Sequence, residues 1–271
     1  MPPKKDFTSK SKSKKKTSSS NEVINFYTKM PSSLQPKYHN PSFQNHLMGL
    51  PFRVLVCGGS GSMKTNLVCD LINRMSGTFG NIKIITKSQE PLYDFLKMKI
   101  PSSHLQIYEG IEHTPLLNEF EEDEEMKDCQ HLVIFDDLVL EPKKIQDALI
   151  TPYFIRGRKV AKGINTIYIT QSYYMTPPTI RKNLTHIFLK KLSNNRDLQS
   201  ILGEYNLGCD KKQLYNLYKD ATNDQQSFLM CDMVAPPNKR FRKNYLDIVE
   251  LKEDESGMPT FSDGYDSDKS K

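Results

Sequence analysis

Short apolar runs alternate with amphipathic stretches through the middle of the chain. Runs rich in Ile, Val, Leu and Phe predict strands over 52–57, 82–86, 104–108, 131–136, 165–170 and 185–190. Stretches with apolar positions three and four residues apart predict helices over 66–76, 90–98, 143–155, 194–204 and 210–220. A further apolar run over 227–233 predicts a last strand. The strand candidates are apolar almost throughout rather than on alternate positions, which points to a mostly parallel sheet covered by helices on both faces, an α/β fold.

The ends of the chain read differently. Residues 1–16 hold seven lysines against Asp6, and residues 250–271 hold seven acids against three lysines. The chain carries a formal net charge of +6, so the segment between these ends carries about +4. Both ends are rich in serine and poor in aromatics, and neither buries enough apolar surface to offset its ordering entropy. Pro31, Pro36 and Pro41 make 21–50 an extended lead-in. The expected organisation is a disordered basic arm and lead-in over 1–47, one domain over 48–235 and an acidic tail over 236–271. A hydrophobic fraction of 37% and a mean hydropathy of −0.59 agree with disordered ends. Lys10 to Lys16 read as a DNA tether, an import signal or a solvated arm, and Ser262 and Ser267 lie in Ser-Asp pairs that invite phosphorylation. The acids between Glu119 and Glu125, Asp123 among them, read as a solvated loop or cap. Five scattered cysteines without a C-x-x-C pair indicate a reducing compartment and argue against a disulfide framework or a zinc site. No apolar run approaches the ~20 residues of a membrane span, so the expectation is a soluble intracellular protein with no membrane span.

The chemistry concentrates at two places. Strand 52–57 runs into Gly58, Gly59, Ser60, Gly61, Ser62, Met63, Lys64 and Thr65, where a helix begins. A glycine-rich turn between strand and helix lets backbone N–H groups and the helix N-terminus converge on a phosphate. Lys64 then reaches the β- and γ-phosphates and Thr65 offers its hydroxyl to Mg²⁺. Met63 stands where the pattern G-x-x-x-x-G-K-[ST] has glycine, and the plain alternative is a steric turn. The second place is Asp136-Asp137 at the carboxyl end of strand 131–136, the edge at which ligands sit in open α/β sheets. Asp136 is assigned to Mg²⁺ and Asp137 to the attacking water, against the alternative of a simple turn after a buried strand. Gln171, at the end of strand 165–170, is the candidate γ-phosphate sensor, or merely a cap. Arg158, and after it Arg181, are the candidate fingers supplied by a neighbouring subunit.

Taken together, Leu50-Pro-Phe-Arg-Val, the turn 58–65, Ile134-Phe-Asp-Asp137, Gly157-Arg158, Thr170-Gln-Ser-Tyr173 and the run from Pro178 to His186 resemble the genome-packaging ATPases of poxviruses and other large DNA viruses. These belong to the FtsK–HerA branch of P-loop ATPases and also occur in virophages and Polinton-like elements. The resemblance covers roughly residues 48–192. It implies a RecA/ASCE-like P-loop NTPase fold, ATP and Mg²⁺ as cofactors, and a homo-oligomeric ring that drives double-stranded DNA into a preformed capsid. Capsid or portal-like components are the further partners implied, and the location is the cytoplasm or nucleus of an infected cell, with the virion as a further site. Asp137 departs from the wider superfamily, which has Glu there. Lys159, Lys162, Lys182, Lys190 and Lys191 are the candidate contacts to the DNA backbone. Two other readings stay open: a nucleotide-binding assembly subunit with little turnover, crippled by Met63, and a small-molecule kinase.

Overall fold

The computed structural model describes residues 23–249 except 123, 125, 126, 206 and 207, so the lysine-rich start, the acid-rich end from residue 250 and the Ser-Asp pairs lie outside the described residues. The described residues up to Lys37 form one unit, in which Phe26–Lys29 makes a 3-10 turn capped by the Asn25 side chain. The second unit starts at Tyr38 and carries everything that follows.

Among the described residues nine strands form one sheet in the order β3-β2-β4-β5-β1-β6-β7-β8-β9. They are β1 (Arg53–Cys57), β2 (Asn81–Thr86), β3 (Leu105–Glu109), β4 (His131–Asp136), β5 (Ile164–Thr170), β6 (His186–Leu189), β7 (Leu229–Asp232), β8 (Phe241–Lys243) and β9 (Asp247–Ile248). The first six pair in parallel, and the last three extend the sheet antiparallel from β6. The helices are α1 (Lys64–Arg74), α2 (Pro91–Lys99), α3 (Glu119–Glu122), α4 (Lys143–Leu149), α5 (Thr151–Arg156), α6 (Pro178–Arg181), α7 (Asn195–Glu204) and α8 (Lys211–Ala221).

Alternate residues of each strand face opposite cores. Val54 and Val56 of β1 pack with Ile82, Ile134 and Ile169 beneath Leu67, Val68 and Leu71 of α1 and Leu96 of α2. Leu55 and Cys57 pack with Val133, Phe135 and Tyr168 beneath Tyr153 and Phe154 of α5, Ile201 of α7 and Leu214 of α8. Helices therefore cover both faces, as the unbroken apolar strands require. The stretch 143–155 is two helices rather than one. Pro152 lacks the amide that a continuous helix would use and its ring crowds the preceding turn, so the chain restarts at Thr151.

The expected boundary at 235 does not mark the end of the sheet. Residues 236–249 include β8 and β9, with Phe241 and Tyr245 buried. The cationic run there looked like tail because its apolar positions are few. Arg242 is nonetheless 5% exposed, and its guanidinium donates to Asp232 at 2.7 Å and to the Leu47 carbonyl at 3.2 Å. His186 lies 3.5 Å from the same carboxylate. Burial alone would raise the Asp232 carboxyl, but His186 and Arg242 together hold it below its usual value. Residues 46–48 are likewise packed into the domain rather than part of a free lead-in: His46 and Met48 are fully buried.

Removing one partner of such a buried pair strands the other's charge. Arg242→Ala is expected to lower the stability of the domain by about 3–5 kcal/mol, read from urea unfolding of the full chain.

Candidate functional site

β1 ends at Cys57, where Gly58 N–H still donates to the Thr170 carbonyl of β5. Glycine is required at 58, since a Cβ there would lie 2.6 Å from both Lys190 Cβ and Ser62 Oγ. The turn then folds back through Gly61 (φ +70°) and Met63 (φ +63°, ψ +38°), and α1 starts at Lys64. Met63 thus holds the left-handed conformation that makes glycine the usual choice, which costs about 1–2 kcal/mol but leaves the path of the loop intact.

The amides of Gly59 and Ser62 are committed within the loop's own scaffold, to the carbonyls of Lys191 and Gly59. Those of Ser60, Gly61, Met63, Lys64 and Thr65 meet no acceptor among the described residues. The amides left open to an anion thus run from Ser60 into the first turn of α1, with those of Gly59 and Ser62 excluded. Lys64 Nζ folds back onto the Gly59 carbonyl at 3.0 Å. Burial draws its pKa down, opposed by the nearby carboxylates of Asp136 and Asp137. Among the described residues the Thr65 hydroxyl has no hydrogen-bond partner, and the buried Ser62 Oγ has none. A cleft of about 480 Å³ opens beside the loop, between Ser60 and Gly61 on one side and Lys191, Asn223 and Gln225 on the other. The larger cavity, about 960 Å³, runs along the outer faces of α1 and α2 and contains none of the predicted site residues.

β5 lies between β1 and β4, so three carboxyl ends stand side by side. Asp136, the last residue of β4, is 4% exposed, and one of its oxygens accepts the Tyr93 hydroxyl of α2. Burial pushes its carboxyl up to about 6, the hydrogen bond from Tyr93 opposes the rise, and Glu90 and Asp137 add to it. Asp137 follows in the left-handed region (φ +55°), which Asp tolerates, and this turns its exposed carboxylate out of the sheet. Gln171, just past β5, donates to Asp137 Oδ1 at 3.4 Å. Lys64, Asp136, Asp137 and Gln171 therefore gather at one edge.

A family model for the poxvirus A32 protein matches residues 41–247 of this chain. The chain belongs to that family. Among solved structures, the genome packaging NTPase B204 from Sulfolobus turreted icosahedral virus 2, in complex with ATP-gammaS, is 16% identical, with a TM-score of 0.50 over 74% of this chain and 100% of that one. At that identity the likeness concerns the fold. The type VII secretion protein EccC of Thermomonospora curvata (ATPases 2 and 3) is 14% identical at a TM-score of 0.48, over 75% of this chain and 39% of that one. A search of curated proteins returned no match.

Within this family member the two candidate arginines differ. Arg158 is exposed in the 3-10 turn Gly157–Lys159, beside Arg53 and Tyr38 at the amino ends of the strands, so it cannot serve the loop of its own chain. Arg181 is 8% exposed, pairs with Glu204 at 2.7 Å and stacks on Tyr173 at 5.0 Å, which removes it as a free finger. Lys190 is a second correction. It is 2% exposed, and its ammonium donates to the carbonyls of Gln225 (2.6 Å) and Ser227 (3.1 Å), so it braces the loop region instead of facing DNA. Lys159, Lys162, Lys182 and Lys191 are exposed, Lys162 beside Asp128 at 3.3 Å. Tyr93 and Glu90 escaped the sequence reading, because a Tyr and a Glu near a helix start carry no periodicity that sets them apart.

The raised Asp136 carboxyl has a sign that can be tested. Its contribution to stability is full below the ordinary 3.8 and is lost as pH rises through about 6. Asp136→Asn is expected to match wild type near pH 4 and to exceed it by about 2–3 kcal/mol above pH 7 in chemical unfolding, a figure set by the size of the shift. Met63→Gly exchanges left-handed strain for unfolded-chain entropy of roughly 0.4–1 kcal/mol, so nucleotide affinity and turnover are expected to change only a few-fold. A large gain in turnover would instead mark Met63 as a brake.

Proposed function

We propose that the chain hydrolyses ATP and uses the energy to drive double-stranded DNA into a capsid, acting as a ring of identical subunits. Its family and its fold make it a genome-packaging P-loop ATPase. The observation that carries the proposal is the gathering of Lys64, Asp136, Asp137 and Gln171 at one sheet edge, beside five loop-region amides that meet no acceptor among the described residues.

A triphosphate entering the cradle offers its oxygens to those amides, and Lys64 exchanges the Gly59 carbonyl for the β- and γ-phosphates. Asp137 orients the attacking water, and Gln171 exchanges its bond to Asp137 for contact with the γ-phosphate. The donor set fits a hard divalent cation, because the Thr65 hydroxyl and one Asp136 oxygen are uncommitted oxygen ligands beside the cradle. Bound there with the nucleotide, Mg²⁺ supplies neutralisation of phosphate charge. Arg158, exposed at the amino ends of the strands, is the residue we assign to a neighbour's site across a subunit boundary. The exposed lysines at 159, 162, 182 and 191 contact backbone phosphates without reading bases. No helix among the described residues is long and apolar enough to cross a membrane.

Lys64→Ala is expected to abolish hydrolysis. Wild-type turnover should rise with duplex DNA, and the rise should fade as salt is raised. Equal turnover with and without duplex would count against the motor, and binding without turnover would favour the assembly-subunit reading.

A further inference from the structure

Tyr93 has a place in the site that the motifs do not assign. It lies one turn into α2, a helix started by Pro91, and is 1% exposed. Its ring packs in the core beneath α1 and α2 with Leu96, Ile84 and Ile134. Its hydroxyl donates to Asp136 Oδ2, while the other oxygen, Oδ1, meets no donor among the described residues. A tyrosine turns on only two side-chain torsions, and here the ring is walled in, so the hydroxyl is a fixed point.

We propose that Tyr93 is a positioning residue for the metal-bearing carboxylate: its hydroxyl anchors one oxygen of Asp136 and thereby presents the other to the cation that accompanies the nucleotide. The inference rests on the ATPase reading above and assigns a residue outside the phosphate loop and the carboxylate strand to that site. Partners of this kind hold a ligating group in one orientation, and losing them typically weakens metal affinity or activity about 10–100-fold. α2 follows β2 rather than β1 or β4, so the site draws on a third crossover of the sheet.

The test uses the full chain and a fluorescent ATP analogue, titrated with Mg²⁺. Tyr93→Phe keeps the ring and removes the donor. It is expected to fold as wild type and to bind the analogue equally well in EDTA, while the Mg²⁺ concentration at half-saturation rises about tenfold or more and kcat falls with little change in KM. In an Asp136→Asn background the same substitution should add nothing. An unchanged Mg²⁺ titration in folded Tyr93→Phe overturns the proposal, and so does an equal effect in the Asp136→Asn background. A second measurement does not depend on how that variant folds: 3-fluorotyrosine at 93 should show a ¹⁹F shift that follows Mg²⁺ in the presence of nucleotide, and a signal indifferent to Mg²⁺ overturns the proposal. Wild type that binds no analogue in either condition overturns both this inference and the nucleotide reading. Binding that depends on Mg²⁺ but ignores Tyr93 overturns this one alone.

Discussion

The pairing of β5 with β1 on one side and β4 on the other is the constraint from which the site follows. Cys57 pairs with Thr170 and Asp136 with Ile169, so the loop, the carboxylates and Gln171 leave the sheet at one level. Parallel strands direct all their carboxyl ends the same way, and each needs a crossover that puts a helix on a face of the sheet. A shift of one residue between β4 and β5 would turn Asp136 to the other face, and one between β1 and β5 would offset the loop from the carboxylates.

That arrangement places charge where burial opposes it. Asp136 sits at the end of an apolar strand, where burial disfavours its charged form and raises its pKa. Lys64 is drawn the opposite way for the same reason. Met63 adds a second departure from ease, a side chain in a conformation that glycine takes freely. Strained backbone and buried charge in one site agree with a structure shaped to be completed by a ligand of opposite charge. The far end of the sheet solves a similar problem internally: Asp232 meets Arg242 and His186 within the fold and needs nothing from outside.

Much of the scaffold was legible in the sequence because it depends on near neighbours. The apolar runs marked β1 to β7 to within one or two residues. The glycine turn and the Asp136-Asp137 pair stood out through spacing alone. β8 and β9 were not legible, since Phe241, Arg242 and Lys243 become strand only through β7 and through a carboxylate ten positions away. The single helix expected over 143–155 ignored Pro152. Arg181 and Lys190 looked like surface cations because nothing local shows that Glu204 and the carbonyls of Gln225 and Ser227 will enclose them.

The sequence by itself determined where the glycine turn and the strand ends fall, because loop geometry and strand ends are set by residues adjacent in the chain. Only the tertiary structure decided which cations stay free, which oxygen of Asp136 is held by Tyr93 and where the sheet ends. Those outcomes depend on partners from 10 to nearly 200 positions away, as in Arg242 with Asp232 and with the Leu47 carbonyl, and chain order places no limit on such contacts until the sheet has formed.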